Sequence, residues 1–375
     1  MINLFQPSAS EAELASISDV FSSNWLGTGS RAAQFERAFG EYVGCPPDEI
    51  LAVTSCTEGM FQAVAALGLG PGDDVVLPTI SFLGAAHAVR SAGARVILAD
   101  VDPPTLNPTV EHVANALTES TRAILILHYG GGPGAVEAIA ELARQRSLSL
   151  IEDAACSLGS FAEGRACGTF GDVGIWSFDS MKVMTTGDGG MVWCRSEEIA
   201  DRIRSSVRLG VSASGFDRRT ASSRWWEIEP HGLGRRAAMN DIAAAIGLTQ
   251  LERLPGFLDR RQEVAAAYDA GLRDLDWVTA PEQQSPLAAR IFYWIQMAPG
   301  VRDRLAVHML ERGVYTSFRY WPLHKTEIYA SDDAFPGADL AAESTLMLPL
   351  HQGLSDADVE HVLEAIHAFA PALSK

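Results

Sequence analysis

The sequence predicts an α/β protein with a mainly parallel central sheet flanked by helices, followed by a smaller C-terminal α+β domain. Three observations predict it. From about Glu49 to Cys194, short apolar runs alternate with stretches of helical spacing. Continuous apolar strands of that kind belong to a sheet covered on both faces. After Arg195 the alternation stops, and a polar stretch is followed by long helices and a mixed last third. The length of 375 residues suits two domains. We place them at residues 1–250, with a short N-terminal segment, and 251–375.

The elements follow in order. "ILAV" reads as a strand, and "TEGMFQAVAALGLG" as a helix ending in glycine. "DDVVLP" and "SFLGAAHAVRSAG" repeat the strand–helix pair, as do "ARVILADVD" with "PTVEHVANALTES" and "RAILILHY" with "GAVEAIAELARQRS". "LSLIED" is a further strand. "VGIWSF" and "GGMVWC" are close enough in sequence to pair antiparallel. "SEEIADRIRSSVRLG" is helical, and the stretch from Val211 to Gly234 is irregular. One helix is expected from Asn240 to Pro255 and a second over "LDRRQEVAAAYDAGLRDL". The last third holds the strand "RIFYWIQMA" and the helices "VRDRLAVHMLERG" and "DADVEHVLEAIHAFA".

Composition narrows the function. A formal net charge of -18 disfavours nucleic acid and anionic membrane as partners. Five cysteines without a CxxC pair read as free thiols in a reducing cytosol, and no metal site is expected. The opening "MINLFQPSASEAEL" has no signal-peptide pattern, and no apolar run reaches membrane-spanning length. The expected location is the cytoplasm.

Ligands of open α/β sheets bind at the carboxyl ends of the strands, and three segments could meet there. Asp153 ends the strand "LSLIED". A buried carboxylate there caps a helix or meets a cationic partner. Ser55, Cys56 and Thr57 stand at a strand-to-helix junction, where free N–H groups and hydroxyls favour a phosphate, or simply cap the helix. Glu58 suits the helix dipole and is expected to point away from any anion. Lys182 follows Ser177 by five residues, among Met181, Val183 and Met184, before the glycine turn of Gly187, Gly189 and Gly190. Desolvation is expected to lower its pKa and make it a nucleophilic amine. A carboxylate for a protonated ring nitrogen, a phosphate site and an imine-forming lysine are the parts of a pyridoxal phosphate site.

The chain resembles the sugar aminotransferases of the DegT/DnrJ/EryC/StrS type along nearly its whole length. The likeness is carried by "SSNWLGTGSRAAQFERAFGEYVG", "GPGDDVVLPTISF", "IEDAACSLGS", "GTFGDVGIWSF", "KVMTTGDGG", "MNDIAAAIGLTQL" and "LPLHQGLSDADVEHV", in that order. It implies the type I aminotransferase fold and pyridoxal 5'-phosphate as cofactor. It makes Lys182 the Schiff-base residue and proton shuttle, and Asp153 the partner of the pyridine nitrogen. Phe82 stacks on the ring, although its own sequence setting, at the start of a helix, favours a core residue. Cys56, Thr57 and Ser177 contact the phosphate, and Arg236 reaches the phosphate of a neighbouring subunit, so a homodimer with shared sites is implied.

The chain departs from the family's pattern in four places. Cys56 replaces a usual glycine, and Cys156 a polar Gln or His beside the cofactor's phenolic oxygen. Asp188 replaces a Glu, and Ala237 and Ala238 replace larger residues.

The implied reaction moves an amino group from L-glutamate or L-glutamine to a keto sugar, commonly nucleotide-linked, less often to a keto cyclitol. Arg204, Arg208, Arg218, Arg219, Arg224, Arg235 and Arg236 form a basic stretch, with Trp225 and Trp226 among them. Arg235 and Trp226 are candidates for a diphosphate-linked substrate, or members of a solvated loop. His324 is a candidate at the pocket mouth, or a surface histidine after proline. Four rivals remain. Other carbon–nitrogen or carbon–carbon chemistry on PLP is one, kept open by Cys156. A sugar dehydratase of this fold carries histidine in place of Lys182. A non-catalytic PLP-binding sensor has no need of both Lys182 and Asp153. A nicotinamide dehydrogenase needs a G-x-G-x-x-G that "TSCTEG" does not supply.

Overall fold

In the computed structural model, which describes residues 1–211, 226–281 and 288–370, two helices precede the sheet. They are α1 (Glu11–Ser22) and α2 (Ser30–Val43). The strand–helix alternation then runs β1 (Ile50–Val53), α3 (Cys56–Ala66), β2 (Asp74–Pro78), α4 (Leu83–Ser91) and β3 (Arg95–Ala99). It continues with α5 (Val110–Ala116), β4 (Thr121–Leu127), α6 (Val136–Arg146) and β5 (Ser149–Asp153). A short hairpin, β6 (Phe161–Ala162) and β7 (Arg165–Ala166), leads to β8 (Val173–Ser177), β9 (Gly190–Cys194) and α7 (Glu197–Ser206).

Seven strands form one sheet in the order β1-β9-β8-β5-β4-β2-β3. β3, β2, β4, β5 and β8 are parallel. β9 runs antiparallel to both β8 and β1. The alternation of strand side chains divides the core in two. Ile50 and Ala52 pack with Phe35, Phe39 and Trp176 on one face, and Leu51 and Val53 pack with Met60, Ala63 and Val64 on the other. This is why the strands read as uninterrupted apolar runs.

The chain continues as α8 (Asp241–Leu272), β10 (Tyr293–Gln296), α9 (Val301–Glu311), α10 (Pro336–Ser344), β11 (Thr345–Leu348) and α11 (Asp356–His367). β10 and β11 pair antiparallel over a separate core that includes Tyr268, Leu305 and Val362. The two helices expected to meet at Pro255 are one. Proline removes a single backbone donor there. The apolar spacing runs on through Leu254, Phe257, Val264, Tyr268 and Leu272, all buried, and that packing outweighs the lost bond. The helix therefore carries the chain across residue 250. Its first part packs on α1 and α2, and its later part on α11. Among the described residues no helix is long and apolar enough to cross a membrane.

Candidate active site

The carboxyl ends of β5 and β8, the start of α3 and the loop before β9 surround a pocket of about 220 Å³. Cys56, Thr57, Phe82, Asp153, Ser177 and Lys182 line it.

The lysine loop is tied at two points. Thr185 donates its N–H to Oε1 of the buried Gln250 on α8 at 3.2 Å. Gln352 donates to the Val183 carbonyl at 3.1 Å. Gln352 in turn accepts at 3.0 Å from Arg261, a buried guanidinium whose other partners are the Arg290 and Ile291 carbonyls. Burial without a carboxylate pulls Arg261 down to about 10. The loop is thus held by the long helix on one side and the segment after β11 on the other.

Lys182 Nζ lies 3.4 Å from the Cys156 thiol, and that sulfur lies 3.8 Å from the Tyr320 hydroxyl. Burial pulls the ammonium down, while Cys156, Tyr320, Asp153 and Cys56 pull it up by more. The net shift is upward, a correction to the lowered value expected from desolvation alone. The Asp153 carboxyl is raised by burial, against the pull of Lys182, the Ala155 N–H and His128.

Asp153 caps no helix. Among the described residues its carboxylate accepts one hydrogen bond, from the Ala155 N–H at 3.1 Å, and otherwise it faces the pocket. At the start of α3 the Ser55 hydroxyl accepts from Glu58 N–H at 3.0 Å. The N–H groups of Cys56 and Thr57, ahead of the first helical bonds, remain for an anion. β9 comes close here: a Cβ on Gly190 would stand 2.6 Å from Cys56 N, so the residue must be glycine. Glu58 points away as expected, held by Gln62 at 2.6 Å and Arg235 at 3.2 Å. Burial pushes the Cys56 thiol well above its ordinary range.

Phe82 is not a core residue. It is 44% exposed, lines the pocket, and stands 5.6 Å from the Tyr320 ring. The remaining candidates lie apart from this pocket. His324 is held by the Thr79 hydroxyl at 2.8 Å and Asp339 at 3.2 Å, and stacks on Phe335. It is not among the residues that line the pocket. Arg235 lies over Phe61 and pairs with Glu58, and Arg236 and Trp226 are exposed. Arg218, Arg219, Arg224 and Trp225 of the basic stretch lie outside the described residues.

Sequence reasoning missed Arg319, Tyr320, Asp179, Phe5 and Phe292, which also line the pocket, and it gave Asp188 no place there. The available signal was the aromatic run "RYWP" before "LHK", which drew attention to the histidine alone.

The profile of the DegT/DnrJ/EryC1/StrS aminotransferase family matches residues 7–367. The chain belongs to this family. It is similar to a dTDP-4-dehydro-2,3,6-trideoxy-D-glucose 4-aminotransferase of Saccharopolyspora spinosa, 49% identical over 97% of this chain and 95% of that protein. Its fold matches the crystal structure of the aminotransferase TlmJ from Streptoalloteichus hindustanus, with TM-score 0.93, 50% identity and 98% of each chain covered. It also matches the sugar aminotransferase CalS13 from Micromonospora echinospora, with TM-score 0.88, 29% identity, and 98% and 99% covered. The fold is therefore that of this aminotransferase family, and the protein is an aminotransferase.

Proposed function

We propose that the protein uses pyridoxal 5'-phosphate to transfer an amino group from L-glutamate or L-glutamine to a nucleotide-linked keto sugar, in the biosynthesis of an amino sugar. The observation that carries the reading is a buried carboxylate, a buried lysine and an open helix N-terminus around one pocket. The residues present fit the cofactor. Asp153 has unused acceptor capacity for a ring N–H, the start of α3 offers N–H groups to a phosphate, and Lys182 offers an amine to an aldehyde. When bound, the cofactor supplies that aldehyde and a ring that accepts electrons.

Each residue then has a role. Cys56, Thr57 and Ser177 would bind the phosphate, and Phe82 would cover the ring. Asp153 would keep the ring nitrogen protonated. A protonated ring nitrogen held by Asp153 would also place a positive charge near Lys182, and a like charge disfavours the ammonium. Lys182 carries the proton to and from the substrate carbon. Cys156, next to Lys182 Nζ, would offer its thiol to the cofactor's phenolic oxygen.

The acceptor reading rests on the dTDP-linked sugar in the name of the relative at 49% identity. Two chains sharing their sites account for the exposed Arg236, and for the exposed apolar Phe82, Leu83 and Met181 around the mouth. The test is to supply PLP, an amino donor and a dTDP-linked 4-keto sugar. Mass spectrometry should find the carbonyl oxygen exchanged for an amino group as the 2-oxo acid accumulates. A donor that yields its 2-oxo acid while no keto sugar is aminated would refute the acceptor class.

A further inference from the structure

Arg319 is a cation of the pocket wall that none of these roles uses. Lys182 and Arg319 are the two cationic side chains lining the cavity among the described residues. The backbone of Arg319 is pinned from inside the fold, because the buried Tyr129 hydroxyl donates to its carbonyl. Its guanidinium lies over the Phe5 ring, 5.2 Å from the centroid, and Nη2 donates to the Met181 sulfur at 3.4 Å. A thioether is a weak acceptor, so most of the fork remains unused. Arg95, Arg253 and Arg260 each hold a carboxylate. Arg319 forms no ion pair among the described residues, although Asp179 and Asp188 line the same pocket.

Its contact with Met181 sets the fork one residue from Lys182, where the amine of an amino acid has to arrive. A planar guanidinium with free paired donors matches a carboxylate. We propose that Arg319 receives the α-carboxylate of the amino donor and so presents the donor's amine at Lys182. The assignment rests on the aminotransfer reading above. An α-carboxylate is common to L-glutamate and L-glutamine and is absent from the keto sugar, so one arginine serves the first half-reaction and stands free in the second.

The experiment uses the PLP-loaded enzyme with Arg319→Gln and Arg319→Lys. The first readout is the calorimetric Kd of L-2-hydroxyglutarate, which has the donor's carboxylates and no amine to react. The second is the donor concentration that half-discharges the visible band of the cofactor. Arg319→Gln should weaken both by about 10–100-fold, the scale of a hydrogen-bonded charge. The donor effect should be equal for L-glutamate and L-glutamine, with Arg319→Lys in between and the KM of the keto sugar unchanged. A loss confined to L-glutamate would assign Arg319 to the side-chain carboxylate and overturn the proposal. A loss confined to the keto sugar would assign it to a phosphate, with the same consequence. Unchanged constants, with the parent discharged normally, would sink this inference alone. If neither amino acid discharges the parent enzyme, the donor reading falls and this one falls with it.

Discussion

Glu152 and Asp153 are consecutive residues at the end of β5, both buried, and they are opposites. Glu152 has a full set of donors: His128 Nε2 at 2.8 Å and the N–H groups of Gly168 at 2.8 Å and Gly171 at 2.6 Å. Among the described residues Asp153 has one, the Ala155 N–H. Successive strand residues point to opposite faces, so one carboxylate enters the fold and the other enters the pocket. A buried charge whose partners are complete holds structure together. One with open acceptor capacity, facing a cavity beside a lysine, is available to a ligand.

The two carboxylates should therefore fail differently. Asp153→Asn should cut aminotransfer on the order of 10³-fold, because the ring nitrogen loses its anionic partner, while the fold persists. Steady-state rates and thermal melting of the same preparation check it. Comparable losses of rate and of melting temperature would erase the contrast. Glu152→Gln should do the reverse. Its amide would face donors where the carboxylate only accepts, at a cost of about 2–4 kcal/mol in urea unfolding. The rate per folded molecule should stay near the parent's.

Glu13 extends the comparison to a carboxylate remote from the pocket. It joins α1 to α8 through Gln250 at 2.7 Å and through Arg253. Burial raises its pKa, and the hydrogen bonds of Ser10, Gln250 and Arg253 lower it by more, to about 2. A folded-state pKa below the unfolded one gives stability that is present above the ordinary glutamate range and is lost as pH falls toward 2. Glu13→Gln should then cost roughly 3 kcal/mol at most at pH 7, and about half of that at pH 3. Urea unfolding at the two pH values measures it. A difference independent of pH would mean that packing, not charge, joins these helices.

Cys156 gives the smallest expected effect. Its sulfur touches Lys182 Nζ and lies in weak contact with Tyr320, so Cys156→Ser should change kcat by less than about tenfold. It should move the pH dependence of the cofactor's visible band, which absorbance titration reads. A loss as large as that of Asp153→Asn would place the thiol in the chemistry itself.

The sequence was legible where function coincides with a local pattern. Asp153 ends an apolar strand, Thr57 opens a helix, and Lys182 sits among apolar residues ahead of a glycine turn. Each can be read from about ten neighbours. Arg319, Tyr320 and Phe5 come from irregular segments placed by distant contacts, such as the Tyr129 hydroxyl on the Arg319 carbonyl. No spacing encodes that placement. The place of His324, outside the pocket lining, is likewise set by its contacts with Thr79, Asp339 and Phe335 and not by its neighbours in sequence. The helix across Pro255 was divided because proline is a strong local signal, and packing on both sides overrides it. The raised pKa of Lys182 depends on Cys156, Tyr320 and Asp153, which meet it only in the fold.

The most direct measurement is the visible spectrum of the purified protein with PLP, for the parent and for Lys182→Ala, before and after L-glutamate or L-glutamine. The account predicts a band in the parent that either amino acid discharges as the 2-oxo acid appears, and no such lysine-bound band in Lys182→Ala. A parent without a band, or a variant whose band is the same as the parent's, would contradict it.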